Sequence, residues 1–192
     1  MAEQPCSGQA SEAVLTAEHA AVAMYRFAAL MLGSEVEALR LVEFTVAGVE
    51  IDPCADPAAA EGLVRERVVE GALEIMHRND PASFAAIPQP DPCAPCLDDE
   101  AASPVSPSEL SHLLTGAERS RLREWLDRLS QAQRAVFVQR AVLGTTNADT
   151  ATAINRFARP ASWTAEAVSS LFRQTLCSLA SSLLHATPAL QS

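Results

Sequence analysis

Three successive stretches decide the fold. Residues 125–144 read WLDRLSQAQRAVFVQRAVLG, residues 145–157 read TTNADTATAINRF, and residues 163–184 read WTAEAVSSLFRQTLCSLASSLL. Caps and breakers divide them. Ser130 is the expected cap of a helix over 131–143, and Gly144 ends it as a C-terminal glycine does. Asn147 is expected to cap a short helix over 148–157, which Pro160 breaks. Thr164 then caps a last helix reaching about His185, with Glu166 favourably placed in its first turn. A helix over 118–129 precedes all of these. This succession has the spacing of a helix-turn-helix, although short capped helices in an ordinary bundle share it. Trp125, Trp163, Leu176 and Cys177 are expected in the core.

Toward the N-terminus, Val14, Ala17, Ala21, Met24, Ala28 and Met31 recur at helical spacing and predict a helix over 11–32. Gly33 closes it. Ser34, with Glu37 three residues on, has the pattern of a capping box opening a second helix to about Glu50. Leu39, Val42, Val46 and Val49 are expected on its inner face, with Phe44 on a flank. Asp52, Pro53, Asp56 and Pro57 punctuate a loop. A third helix is expected over 58–78, with Leu63, Val64, Val68, Leu73 and Met76 facing inward.

Residues 80–107 then carry Pro81, Pro88, Pro90, Pro92, Pro95, Pro104 and Pro107, together with Asp91, Asp98, Asp99 and Glu100, and no basic residue. Proline breaks helices, and like charges keep a chain extended. We therefore expect an acidic, Pro-rich linker over 80–117, with a short helix within 108–114. The expected class is all-α: two small helical modules, 1–79 and 118–192, joined by that linker, the second containing the helix-turn-helix.

Charge follows the same division. The 192-residue chain carries a net charge of −10 and is 48% apolar. Residues 1–117 hold 19 acidic and 5 basic side chains, whereas residues 118–192 hold 5 acidic and 9 basic. All 14 cations are arginine. An asymmetry of this kind suggests modules with different partners. The overall acidity argues against general affinity for nucleic acid, which depends on neutralising phosphates. No apolar run approaches the roughly 18 residues of a membrane span, and the acidic N-terminus lacks the positive start of a secretory signal. The expected location is cytoplasmic, with no membrane association.

The five cysteines are Cys6, Cys54, Cys93, Cys96 and Cys177. Their odd number and irregular spacing do not form a secreted disulfide framework. Cys93 and Cys96 make a C-x-x-C, but tetrahedral zinc requires two further ligands. Cys54, His77 and His112 are the candidates, and none forms a second tight pair. We assign no metal or cofactor, and keep a metal- or redox-sensing helical regulator as one alternative. His19, His77, His112 and His185 show no partner pattern. No phosphate loop, nucleophile elbow or paired-carboxylate signature is present, so no enzymatic activity is expected.

The C-terminal stretch resembles region 4 of bacterial sigma-70-family factors, most closely the extracytoplasmic-function group. Leu129, Gln133, Arg134, Ala135, Val136 and Phe137 match its L…Q-R-A-V-F pattern. Residues 150–154 sit where the family has E-I-A-x-x-L, and residues 167–170 where it begins its recognition helix. The N-terminal module is similar to a reduced region 2. Tyr25, Arg26, Ala28 and Gly33 keep the first half of its motif, and Glu37, Leu39 and Phe44 keep part of the second. The polar pair that the family sets against polymerase is Ala38 and Leu41 here.

The resemblance implies a transcription protein that engages RNA polymerase core or an anti-sigma factor. Glu37, Leu39, Arg40 and Phe44 are the candidate partner contacts. Arg156, Arg159, Thr164, Ser169, Ser170, Arg173 and Gln174 are the candidate promoter DNA contacts. In the third helix, Arg65, Arg67 and Arg78 are opposed by Glu61, Glu66, Glu70 and Glu74, and Gly71 lies near the family's Asn. So acidic a surface repels DNA within a Debye length of about 8 Å. The expected function is therefore a sigma-factor-like regulator with reduced promoter contact. A functional extracytoplasmic-function sigma factor is the other alternative.

Overall fold

The computed structural model describes residues 10–49, 56–87, 119–158 and 162–184. Every regular element among them is helical, so the fold is all-α. The chain divides into two compact units, Met1–Ile75 and Met76–Ser192.

In the first unit, α1 (Ala10–Leu32) is followed by Gly33, whose φ of 69° turns the chain into α2 (Glu35–Gly48). That left-handed conformation favours glycine. Ser34 caps α2 by accepting from the Glu37 amide at 3.3 Å. Asp56 opens α3 (Pro57–Asn79) by accepting from the Ala59 amide at 3.2 Å. Met24, Phe27, Ala28 and Met31 of α1 are buried, while Ala21 is exposed. Of the other α1 positions expected inside, the Val14 and Ala17 side chains lie outside the described residues.

The face of α2 differs from expectation. Ala38, Leu41, Val42 and Thr45 are buried, whereas Leu39 and Val46 are about half exposed and Val49 is half-buried. Side-chain size does not decide it, since Leu41 and Val42 are buried while Leu39 and Val46 stay outside. A Cβ on Gly71 of α3 would lie 2.5 Å from Leu41 Cδ1, so the glycine leaves the space that Leu41 fills. On α3, Val68, Ala72, Leu73 and Met76 are buried, Val64 is half-buried and Leu63 is exposed.

The second unit starts inside α3. Residues 76–79 lead to α4 (Pro81–Ala85), which Asp80 caps through the Ser83 amide at 3.1 Å. Residues 80–87, expected as the start of the linker, are thus helical in part and packed on this unit. Phe84 is 1% exposed, beside the His77 ring at 5.8 Å. Ser83 Oγ accepts from the Ala132 amide at 2.7 Å, satisfying one of the free amides at the start of a later helix. Residues 88–118, including Cys93, Cys96 and the helix expected within 108–114, lie outside the described residues.

The remaining helices are α5 (Arg119–Arg128), α6 (Gln131–Phe137), α7 (Asn147–Asn155) and α8 (Ala165–Leu184). Ser130 and Gln133 form a reciprocal capping box on α6. Beyond Phe137, α6 widens into a π-helical turn, Val138–Val142, closed by the Leu143 amide on the Val138 carbonyl at 3.2 Å. Gly144 ends it with φ 66°. The cap of α7 is Thr146 rather than Asn147, because its hydroxyl accepts from the Asp149 amide at 3.0 Å.

The core of this unit is aromatic. Trp125 meets Phe137 edge-on at 4.9 Å, and Phe137 lies 6.4 Å from Phe172. The Trp125 indole donates to Ser178 Oγ at 3.2 Å, joining α5 to α8. Both tryptophans of the chain lie in this unit and are 2% exposed, as expected. Leu176 and Cys177 are half-buried.

Truncating Phe84 removes a fully buried aromatic from α4. Phe84→Ala is expected to destabilise the C-terminal unit by about 3–5 kcal/mol. Urea unfolding followed by tryptophan fluorescence, which reports this unit alone, measures the loss.

Candidate nucleic-acid and partner interface

The approach of α7 to α8 is fixed by one side chain. Asn155, the last residue of α7, donates from Nδ2 to the Trp163 carbonyl at 2.8 Å. Its Oδ1 accepts from the Trp163 amide at 2.7 Å. The Trp163 indole then donates to the Phe84 carbonyl at 2.9 Å. Thr164, one residue on, caps α8 by accepting from the Ala167 amide at 3.2 Å. Ordinary sequence signals mark Thr164 as a cap. Nothing in the spacing marks Asn155 or Phe84 as its supports.

Helix α8 buries a wide arc. Ala167, Val168, Ser170, Leu171, Phe172 and Thr175 all point inward. Thr175 compensates its burial by donating to the Leu171 carbonyl at 2.7 Å. Glu166, Ser169 and Arg173 share the opposite face by their spacing of three and four residues. Glu166 is exposed, and Ser169 and Arg173 are half-buried. The Glu166 backbone amide and the Thr164 hydroxyl hold its carboxyl below the usual carboxylate range. It therefore stays ionised at neutral pH, in the first turn of α8.

The proposed DNA-contact residues thus separate. Arg156, at the C-cap of α7, is exposed, and Gln174 is half-buried. Ser169 and Arg173 are brought together on the open face of α8. Thr164 is engaged by its cap and by Glu166. Ser170, at 4% exposure, is packed inside. Arg159 lies outside the described residues.

Two other arginines are taken up by the fold. Arg134, 5% exposed, donates from Nε to the Leu126 carbonyl at 3.1 Å and from Nη2 to Asp127 at 3.0 Å. The Leu126 carbonyl also accepts from the Leu129 amide at 3.1 Å, so the guanidinium adds a second donor to it at the end of α5, where a cation is favourable. Arg140 donates to the Thr145 carbonyl and stacks over the Phe172 ring at 5.2 Å. Such a contact is favourable because the ring face is negative. The basic balance read for residues 118–192 therefore overstates the charge on the surface.

The partner-contact residues behave differently. Glu37, Leu39, Arg40 and Phe44 are all exposed on α2, with Phe44 at 80%. Val36 and Val46 are exposed beside them, at 61% and 47%. Ala38 and Leu41 are both buried. Among the described residues, no group of three or more His, Cys, Asp or Glu side chains could hold a metal ion. Nor is any helix there long and apolar enough to cross a membrane.

Comparison of the chain with models of known families, with curated proteins and with solved structures returned no match.

Replacing Glu166 tests the charge argument. Glu166→Arg is expected to raise duplex-DNA affinity by about tenfold at low salt, with a salt slope steeper by about one. Fluorescence anisotropy across a salt series checks this. Arg134→Leu, by contrast, is expected to cost about 1–3 kcal/mol of stability through loss of its charge-assisted bonds to the Leu126 carbonyl and Asp127. DNA affinity of the folded protein, measured by the same anisotropy, stays unchanged.

Proposed function

We propose that the chain is a divergent sigma-factor-like transcription regulator, acting through RNA polymerase core or an anti-sigma factor with reduced promoter contact. The second unit supplies the helix-turn-helix of this reading, with α7 as the supporting helix and α8 as the one that faces DNA. The observation that carries the proposal is the make-up of the open face of α8. It offers one carboxylate, one hydroxyl and one guanidinium: Glu166, Ser169 and Arg173. A reading helix normally places its N-terminal side chains on base edges, with cations on the flanking phosphates. Here the leading side chain is anionic, and Arg134 and Arg140 serve the interior.

The sigma-like element of the proposal rests on the Gln133–Phe137 segment. Within it, Arg134 and Phe137 have structural work: the guanidinium closes α5, and the ring sits between Trp125 and Phe172. A motif kept for packing is compatible with loss of DNA reading. Docking then falls to the exposed residues of α2, including Leu39 and Phe44.

Two measurements test the function together. The chain is expected to bind purified bacterial core RNA polymerase, with Phe44→Asp weakening capture by about tenfold. Without polymerase, its affinity for duplex DNA should stay in the non-specific range of about 10⁻⁴–10⁻⁶ M. Failure to bind core polymerase or a cognate anti-sigma factor sinks the proposal. Tight promoter binding by the chain alone sinks its reduced-contact element.

A further inference from the structure

Helix α4 lies against the second unit with most of its own surface in water. Pro81, Ala82 and Ala85 are exposed, as are Ala86 and Ile87 beyond it, and Phe84 is its buried residue. A helix of five residues has little stability alone. Among the described residues, its ties to other helices are the Phe84 ring and two hydrogen-bond acceptors. Ser83 Oγ takes the Ala132 amide at 2.7 Å, and the Phe84 carbonyl takes the Trp163 indole at 2.9 Å. Segments with few buried apolar contacts open locally, below the free energy of global unfolding.

The second acceptor reaches the start of α8. Trp163 is 2% exposed, so its indole N–H has no water to turn to while the chain is closed. Without the Phe84 carbonyl, that donor would stand buried and unpaired, which is costly. The indole recovers a partner by moving out to solvent. Its main chain moves with it, and the next residue, Thr164, is the cap of α8.

We propose that α4 is a detachable strap, which opens from the second unit as a local event and in opening releases the first turn of α8. Closed, it fixes the face that Glu166, Ser169 and Arg173 present. Open, it leaves that turn without its anchor, while the aromatic core of Trp125, Phe137 and Phe172 stays folded. Asp80 alone separates α4 from α3, and His77 of α3 packs on Phe84 at 5.8 Å. The strap therefore belongs to the same stretch of chain as the end of α3. A ligand that favours one of the two forms shifts their balance by its difference in affinity. The proposal goes beyond the sigma-like reading and holds whichever macromolecule the α8 face meets.

Hydrogen exchange of the full chain, followed by NMR, tests it. The Trp163 indole proton and the amides of Ala167 and Val168, both bonded to Thr164, report the strap and the turn it holds. The amides of Phe172 and Thr175, further along α8, report the core. The first group should share one protection factor, at least about tenfold below the second, and depend less on urea. Ser83→Ala removes the bond to α6. It should lower both groups by one factor of about tenfold, because both openings start from the strapped form. Phe137→Leu weakens the core and should lower only Phe172 and Thr175.

A Trp163 indole protected as strongly as Phe172 and Thr175 overturns the proposal, because α4 then leaves only when the whole unit unfolds. A first group that Phe137→Leu lowers equally overturns it for the same reason. So does indifference of Ala167 and Val168 to Ser83→Ala, since α8 then frays without regard to the strap.

Discussion

The second unit depends on how Trp163 is held. Its main chain is gripped at both ends by the Asn155 amide, and its indole N–H is satisfied by the Phe84 carbonyl. A buried indole donor without a partner is costly, so this bond is a condition on folding as well as a contact. It also explains why α4 belongs to this unit although α4 comes directly after α3 of the first. A five-residue helix has little stability of its own. Here its carbonyl takes the indole, its serine caps α6, and its phenylalanine enters the core. The direction of α8 is set in turn, because the residue after Trp163 is its cap.

Arginine has a divided role in this scaffold. Residues 118–192 are net basic by sequence, yet a guanidinium helps DNA binding only when it faces solvent. Arg134 closes the end of α5, and Arg140 lies over Phe172 beside the π-helical turn. The widened turn is itself a departure from regular geometry, and such turns recur where a helix must accommodate an extra residue. The tail of α6 therefore gives its polar groups, Gln139 and Arg140, to local bonds with Ala135 and Thr145.

Much of the fold was legible because local chemistry decides it. The helical class, the caps Ser34, Ser130 and Thr164, and the turn glycines Gly33 and Gly144 are dictated by residue type alone. The tryptophans are buried because of their size. The face of α2 was not legible, because apolar residues of equal size stand on both of its sides: Leu41 and Val42 are buried while Leu39 and Val46 are exposed. The role of residues 80–87 was hidden as well. Pro81 reads as a breaker, but proline at the first turn of a helix is tolerated, and Asp80 caps the helix that Pro81 begins. At the site, Arg156 is exposed and Arg173 half-buried, whereas burial of Ser170 required tertiary packing.

The two surfaces point the same way once their chemistry is compared. On α8 the open face mixes one anion with one cation, so it neither attracts a polyanion strongly nor offers apolar area to a protein. On α2 the exposed Phe44 stands among the carboxylates Glu37 and Glu43, a surface that opposes nucleic acid. A chain selected to read promoters would spend its arginines on the first surface. This one uses Arg134 and Arg140 to hold the second unit together, and leaves Phe44 in water on α2.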